Sequence, residues 1–248
     1  MSSIRDCISV NNAIELLPVM TKRADVIVVM PHPDDVELRM AGTVARWTRE
    51  GKEVIYVVCT NGDKGTNDLD MKPEELAKVR EQEQLAAAEI LGVREVIFLR
   101  HPDQSLEDTP EFRKEIVRLI RTYRPDIVAT VDSYGRYIDH RDHRIALQVT
   151  LDAIFPYAGY PHSYPDLLKE GLQPHRVKEV LVCGMRDPNY HTDITDTIDA
   201  KIAALRCHKS QVGDRPEMGE RMRQRAKTSA EGQDYELGEA FYREEIRW

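Results

Sequence analysis

Five short apolar runs, rich in β-branched residues, recur along this chain with helix-like segments between them. They read DVIVVM (25–30), EVIYVVC (53–59), EVIFL (95–99), DIVATV (126–131) and KEVLVCG (178–184). A strand solvated on one face alternates apolar and polar residues, whereas a near-continuous apolar run is buried on both faces, as in parallel sheets. Parallel strands cannot be joined by tight turns and need crossovers, usually helical. The intervening segments supply them. A helical pattern runs to about Glu50, and a strong one runs from Pro73 to Leu91 with Gly92 as its stop. Others run from Thr109 to Tyr123, from near His140, and from about Asp196 to His208.

This alternation predicts an α/β chain with a Rossmann-like three-layer fold: a mostly parallel sheet with helices on both faces. With 248 residues the chain has enough length for a sizeable core. No repeat, low-complexity tract or linker divides it, so residues 1–248 are expected to form one domain. The charge-rich stretch from about Gly213 to Asp234 reads as a surface excursion, either an ordered helix or a flap.

The net charge of -8 argues against a protein that reads nucleic-acid phosphate by bulk charge, but is compatible with a small anionic substrate. The apolar runs are strand-sized, which predicts no transmembrane helix. The first twenty residues lack the sustained apolar stretch of a signal peptide. Cys7, Cys59, Cys183 and Cys207 are scattered and form no CxxC pair, so reduced thiols in a cytoplasmic protein are expected.

In open α/β sheets, ligands bind beyond the carboxyl ends of the strands. Pro31 to Asp35 follows the first run, Thr60 to Thr66 the second, His101 to Asp103 the third and Ser133 to His143 the fourth. All four polar clusters are expected along one edge of the sheet. His32, Asp34 and Asp35 admit two readings. Aspartates at a helix start can simply accept backbone N–H bonds and favour the helix dipole. Alternatively, His32 and Asp35, three apart at a strand–helix turn, share a face toward a metal while Asp34 points elsewhere. His140 and His143 are likewise either solvated helix positions or, through one of them, the third member of a two-His, one-carboxylate set. Three protein ligands plus an open position is the usual catalytic zinc arrangement.

PHPDDVE followed about a hundred residues later by HRDH resembles the PIG-L/LmbE-like zinc-dependent N-deacetylases. TNGDKGT, VREQEQLAAAEILGV, RPDIVAT and KIAALRCHKSQ fit the same pattern. The resemblance covers a core of about residues 25–211, with an N-terminal extension (1–24) and a C-terminal segment (212–248). It implies removal of an acetyl group from an N-acetylglucosamine-type sugar or conjugate, with His32, Asp35 and His143 as metal ligands and Asp34 as general base. It further implies that protonated His140 stabilises the oxyanion, that Asp142 holds this histidine, and that Arg80 and Asp103 line the substrate pocket. The implied cofactor is Zn2+, with Fe2+ accepted by the same ligand set. The implied partner is a small N-acetylated sugar, with neither nucleic acid nor membrane, and homo-oligomers occur among such proteins. A metal-dependent phosphoesterase and a non-catalytic sugar-binding module are the alternatives. Arg39 and Met40 stand where the relatives often have small residues, so their approach to the pocket bears on substrate choice.

The other candidates are weaker. His101 reads as a loop residue near the pocket. The NGDKGT loop lacks P-loop order, and no GxGxxG follows the first strand. His208 reads as structural. Phe155, Tyr157 and Tyr160 could form a sugar-stacking wall at the end of a core helix.

Overall fold

The computed structural model describes residues 22–132 and 139–248. Residues 1–21 of the N-terminal extension and residues 133–138 of the Ser133-to-His143 cluster lie outside the described residues. Each of the five apolar runs forms a strand: β1 (Val26–Met30), β2 (Val54–Thr60), β3 (Glu95–His101), β4 (Ile127–Val131) and β5 (Glu179–Cys183). They pair in parallel in the order β3-β2-β1-β4-β5. Strand order reverses direction at β1 and β4, so the loops after these two strands diverge and leave a crevice between them.

Side chains alternate across the sheet. Ile27 and Val29 join the core beneath α4 (Pro110–Tyr123) and α5 (Arg141–Asp152), while Val26, Val28 and Met30 join the opposite core. That second core is roofed by α1 (Asp35–Arg39), α2 (Ala41–Arg49), α3 (Pro73–Leu91) and α7 (Ile198–Leu205). The three-layer arrangement follows from strands that are apolar on both faces.

Two features depart from the sequence expectations. The helical pattern to about Glu50 is broken at Met40, whose φ of −141° leaves the helical region, so α1 and α2 are separate helices. The break frees the amino end of α2. The Gly42 and Thr43 N–H groups both donate to the Glu239 carboxylate, at 3.0 and 2.7 Å, and Lys201 Nζ lies 2.6 Å from it. Gly42 is required here because a Cβ would lie 2.8 Å from the Ile194 side chain.

Secondly, two further strands complete the sheet. β6 (Tyr190–Asp193) and β7 (Gly238–Glu245) pair antiparallel with each other, and β7 runs antiparallel to β5. GEAFYREE carries too many charges to read as a strand, yet it lies between β5 and β6; its charged end, from Tyr242 on, runs past the four residues that β6 pairs. Of the two readings of the charge-rich stretch, the ordered helix is the one found, α9 (Met218–Ser229). It buries Met218, Met222 and Ala226 against Ile198, Ile202 and Leu205. The remaining short helices are α6 (Pro165–Lys169) and α8 (Lys209–Val212). Cys59 and Cys183 are buried free thiols and Cys207 is a partly buried one.

Candidate active site

The turn after β1 explains how adjacent carboxylates avoid each other. Asp34 has φ of 95° in the left-handed region, a conformation that a non-glycine residue adopts at a cost of roughly 1–2 kcal/mol. The reversal sends the two side chains to different partners. Asp35 turns inward: its Oδ2 lies 3.2 Å from His32 Nδ1 and 3.3 Å from His143 Nε2, and its Oδ1 faces Arg39 Nε at 3.7 Å. Asp34 turns toward Arg80, whose Nη2 is 3.5 Å from Asp34 Oδ2. The strained turn is held from outside, since the Asp34 N–H donates to Gln84 Oε1 and Arg80 donates to the Pro33 carbonyl.

Loops after the other strands close around His32. Its Nε2 is 3.2 Å from Asp103 Oδ1 and 3.3 Å from Asp142 Oδ2. Asp103 is tied in by its own N–H, which donates to Asp63 after β2. Asp142 accepts N–H bonds from Gln104 and Leu106. The strand tips are knitted together by Thr60 N–H to the Pro31 carbonyl and Asn61 N–H to the His101 carbonyl. The expected convergence of polar clusters on one sheet edge is therefore found among the described residues.

The electrostatics are lopsided. Asp35, Asp103 and Asp142 surround His32, and all four are buried. Two like charges 4 Å apart repel by about 4 kcal/mol at an effective dielectric of 20. Burial works against a charged His32, but hydrogen bonds to Asp103, Asp142 and Asp35 outweigh it and push its pKa up to about 11. Asp35 is held well below the usual carboxylate range by His143 and His32 despite its burial. Asp103, likewise opposed by burial, is lowered to about 2 by its bond to His32. Asp34 moves the other way. Burial and the neighbouring Asp35 charge push it up to about 7, against the pull of Arg80 and His208.

A divalent cation fits this site. The His32, Asp35 and His143 ligand atoms lie within 4.8 Å of one another. Their carboxylate–imidazole separations of 3.2 and 3.3 Å match a tetrahedron edge of about 3.3 Å for bonds of about 2.0 Å. His32 would face the ion through Nδ1 while Asp103 and Asp142 brace Nε2, the usual backing of a metal-binding histidine. His32, Asp103, His140 and Asp142 form a second cluster. It shares His32 with the first, and its carboxylates serve the far side of that ring.

Several expected site residues have other neighbours than foreseen. Arg80 was expected to line the substrate pocket. It is 3% exposed and sits behind Asp34, donating to the carbonyls of Pro33 and Gly62. Gly62 has a φ of 62°, and a Cβ there would lie 2.5 Å from the guanidinium, which explains glycine in NGDKGT. Asp103 is 3% exposed and braces His32. Asp142 was expected to hold His140. Its carboxylate is 4.0 Å from His140 Nδ1 and nearer to His32, and it is the Asp142 backbone N–H that donates to His140 Nδ1 at 3.2 Å. That bond leaves the His140 hydrogen on Nε2. Burial and the neighbouring His32 lower the His140 pKa. Arg39 borders the neighbouring cavity of about 710 Å³, whereas Met40 is fully buried in the core.

His101 ends β3 and bonds Glu115, turned away from the site. Phe155 and Tyr160 pack with Trp248, and Tyr157 with Tyr164, beyond the carboxyl end of α5, about 18 Å along the chain from His143 at helical rise. His208 is fully buried and bonds Glu37, which in turn accepts from Gln84. Gln84 was not foreseen. Its signal was present, because Leu76, Arg80, Gln84, Ala87, Ala88 and Leu91 are the buried stripe of α3. Two polar residues on an otherwise apolar stripe must be bonded to something specific.

The family described as "PIG-L: GlcNAc-PI de-N-acetylase" matches residues 27–154, a span containing His32, Asp34, Asp35, His140 and His143. The chain belongs to the PIG-L family. Among its PIG-L relatives, the diacetylchitobiose deacetylase of Thermococcus kodakarensis is 39% identical over 186 residues, covering 75% of this chain and 69% of the relative. A probable N-acetyl-alpha-D-glucosaminyl L-malate deacetylase of Bacillus anthracis is 27% identical over 198 residues, covering 77% and 83%. Among solved structures, the N,N'-diacetylchitobiose deacetylase of Pyrococcus horikoshii superposes with a TM-score of 0.84 at 31% identity, covering 93% of this chain and 87% of that one.

Proposed function

We propose that this chain is a divalent-metal hydrolase, with zinc as the native ion, that removes the N-acetyl group from an N-acetylglucosamine-type sugar or conjugate. The products are acetate and a free amine. The observation that carries this reading is the divergence of the two adjacent carboxylates. Asp35 faces His32 and His143, and Asp34, one residue away, turns to Arg80 and the adjoining cavity, its carboxyl pushed up to about 7 by burial and the Asp35 charge.

His32, Asp35 and His143 would hold a divalent ion, which would supply Lewis acidity there. Asp34 takes the proton of the attacking water and later returns it to the departing nitrogen. Arg80 and Gln84 keep Asp34 in its strained conformation, so its carboxylate does not swing inward beside Asp35. His140 donates its Nε2 hydrogen to the acetamide oxygen as charge builds there. Asp103 and Asp142 fix the His32 ring, and Arg39 holds the second oxygen of Asp35. A phosphoesterase would call for a second ion, and the second cluster is not independent of the first. A sugar-binding module would have no use for the strained Asp34.

The test strips metal with a chelator and restores zinc or ferrous ion. Acetate and amine release are then measured on N-acetylglucosamine and N,N'-diacetylchitobiose. Expected results are loss of activity on stripping, recovery with zinc and about one ion per chain by elemental analysis. Metal-loaded protein that releases no acetate from either sugar would sink the proposal.

A further inference from the structure

Beside Asp34 lies a cavity of about 250 Å³ whose outer wall carries Arg215, Arg221 and Arg225. Arg221 and Arg225 stand one turn apart on α9, flanking the stripe of Met218, Met222 and Ala226 that anchors this helix to the core. Their positions are therefore set by a packed helix. Asp34 is the carboxylate in that cavity, against three guanidiniums. None of the three guanidiniums makes a hydrogen bond or ion pair with another described residue. Arg223, on the same helix but turned away, is paired with Asp199. On a chain of net charge -8, three guanidiniums left without carboxylate partners around one concavity are poised for an anion from outside.

We infer that Arg215, Arg221 and Arg225 form a subsite for an anionic group, phosphate or carboxylate, on the aglycone of the N-acetylated sugar. This rests on the deacetylase reading and narrows it, because the acetamide must sit at Asp34 and the cavity extends from there toward α9. The apolar side chains of Leu38, Val212, Met218 and Met222 line the space between. They offer a surface for a sugar ring or short linker beside the exposed guanidiniums. Guanidinium groups bind planar oxyanions through paired N–H bonds, which ammonium groups do not reproduce.

The test compares three glycosides of N-acetylglucosamine on the metal-loaded enzyme: the 1-phosphate, the carboxymethyl glycoside and the neutral methyl glycoside. The expected kcat/KM ratio of a preferred anionic glycoside to the methyl glycoside is about tenfold or more at low salt. That ratio should collapse toward one in the Arg221→Ala/Arg225→Ala double variant and stay at its wild-type value in Arg223→Ala. The phosphate and carboxymethyl arms show which oxyanion the subsite takes. Ratios near one for both in the wild-type enzyme, or unchanged in the double variant, overturn the inference. Should no glycoside release acetate, the deacetylase reading fails. The subsite is then judged by calorimetric titration of the same 1-phosphate and methyl glycosides. Preference for the 1-phosphate that is lost in the double variant upholds an anion site, and equal dissociation constants overturn it.

Discussion

Arg121 and His32 are both buried ionisable side chains, yet the chain answers their charge in different ways. Arg121 lies near the carboxyl end of α4, and its guanidinium donates to the backbone carbonyls of Tyr157, Ala158, Tyr160, Ser163 and Tyr164. The charge is absorbed by neutral dipoles of a single loop, so the region is complete without a ligand. His32 is ringed by Asp35, Asp103 and Asp142, which leaves more negative than positive charge in a buried space. A buried cation met by carbonyls organises a loop. A buried excess of carboxylates calls for a cation that the chain does not contain.

Substitutions at the two places should therefore separate activity from stability. The largest effect is expected for Asp34→Asn, which keeps the shape of the site but removes the base. Turnover should fall by about 10²- to 10⁴-fold with metal content unchanged by elemental analysis. Undiminished turnover would contradict the role given to Asp34. Arg121→Met should do the reverse. Leaving this set of carbonyls without donors should cost about 3 kcal/mol or more in urea unfolding, with kcat/KM of the folded protein near wild type. Equal stability would show that water satisfies the loop and that the two centres differ less than their contacts imply.

The third expectation concerns pH in metal-free protein. The Asp34 carboxyl is raised to about 7 in the folded state, above its ordinary value near 3.8. A raised folded-state pKa adds stability that is fully present below the unfolded value and lost as pH rises through the folded one. Metal-free wild type should therefore lose stability relative to Asp34→Asn between about pH 4 and pH 7. A thermal-melt series that shows a constant gap would place Asp34 in a different environment. The smallest effect is expected at the exposed Arg46–Glu50 pair, where Glu50→Gln should change stability by no more than about 0.5 kcal/mol. A larger change would mean that even solvated charges here are finely balanced.

The five parallel strands were readable because burial on both faces demands apolar runs, and no other regular element of that length does. β6 and β7 were not, since β6 is a four-residue edge strand and GEAFYREE, although paired on both sides, ends in charged residues that extend beyond β6 into solvent. The break at Met40 was hidden for a different reason. Its compensation, the Glu239 carboxylate at the start of α2, comes from a residue almost two hundred positions later. Gln84 and the α9 arginines were likewise ordinary surface-type residues until the packing of their helices showed which way they face.

By itself, the sequence determined the layer architecture and the sheet edge at which a site must lie, because periodicity and strand-end position are local properties. PHPDD and HRDH also carried the residue types that a metal-dependent hydrolysis needs. Only the tertiary structure decided how the partners are shared. It turned Asp142 toward His32, set Arg80 behind Asp34, put the Asp142 N–H against His140 Nδ1 and brought α9 to the mouth of the cavity. The physical reason is that a side chain's charge and bonding state depend on neighbours within a few ångströms. Those neighbours come from strand ends and helices far apart in the chain.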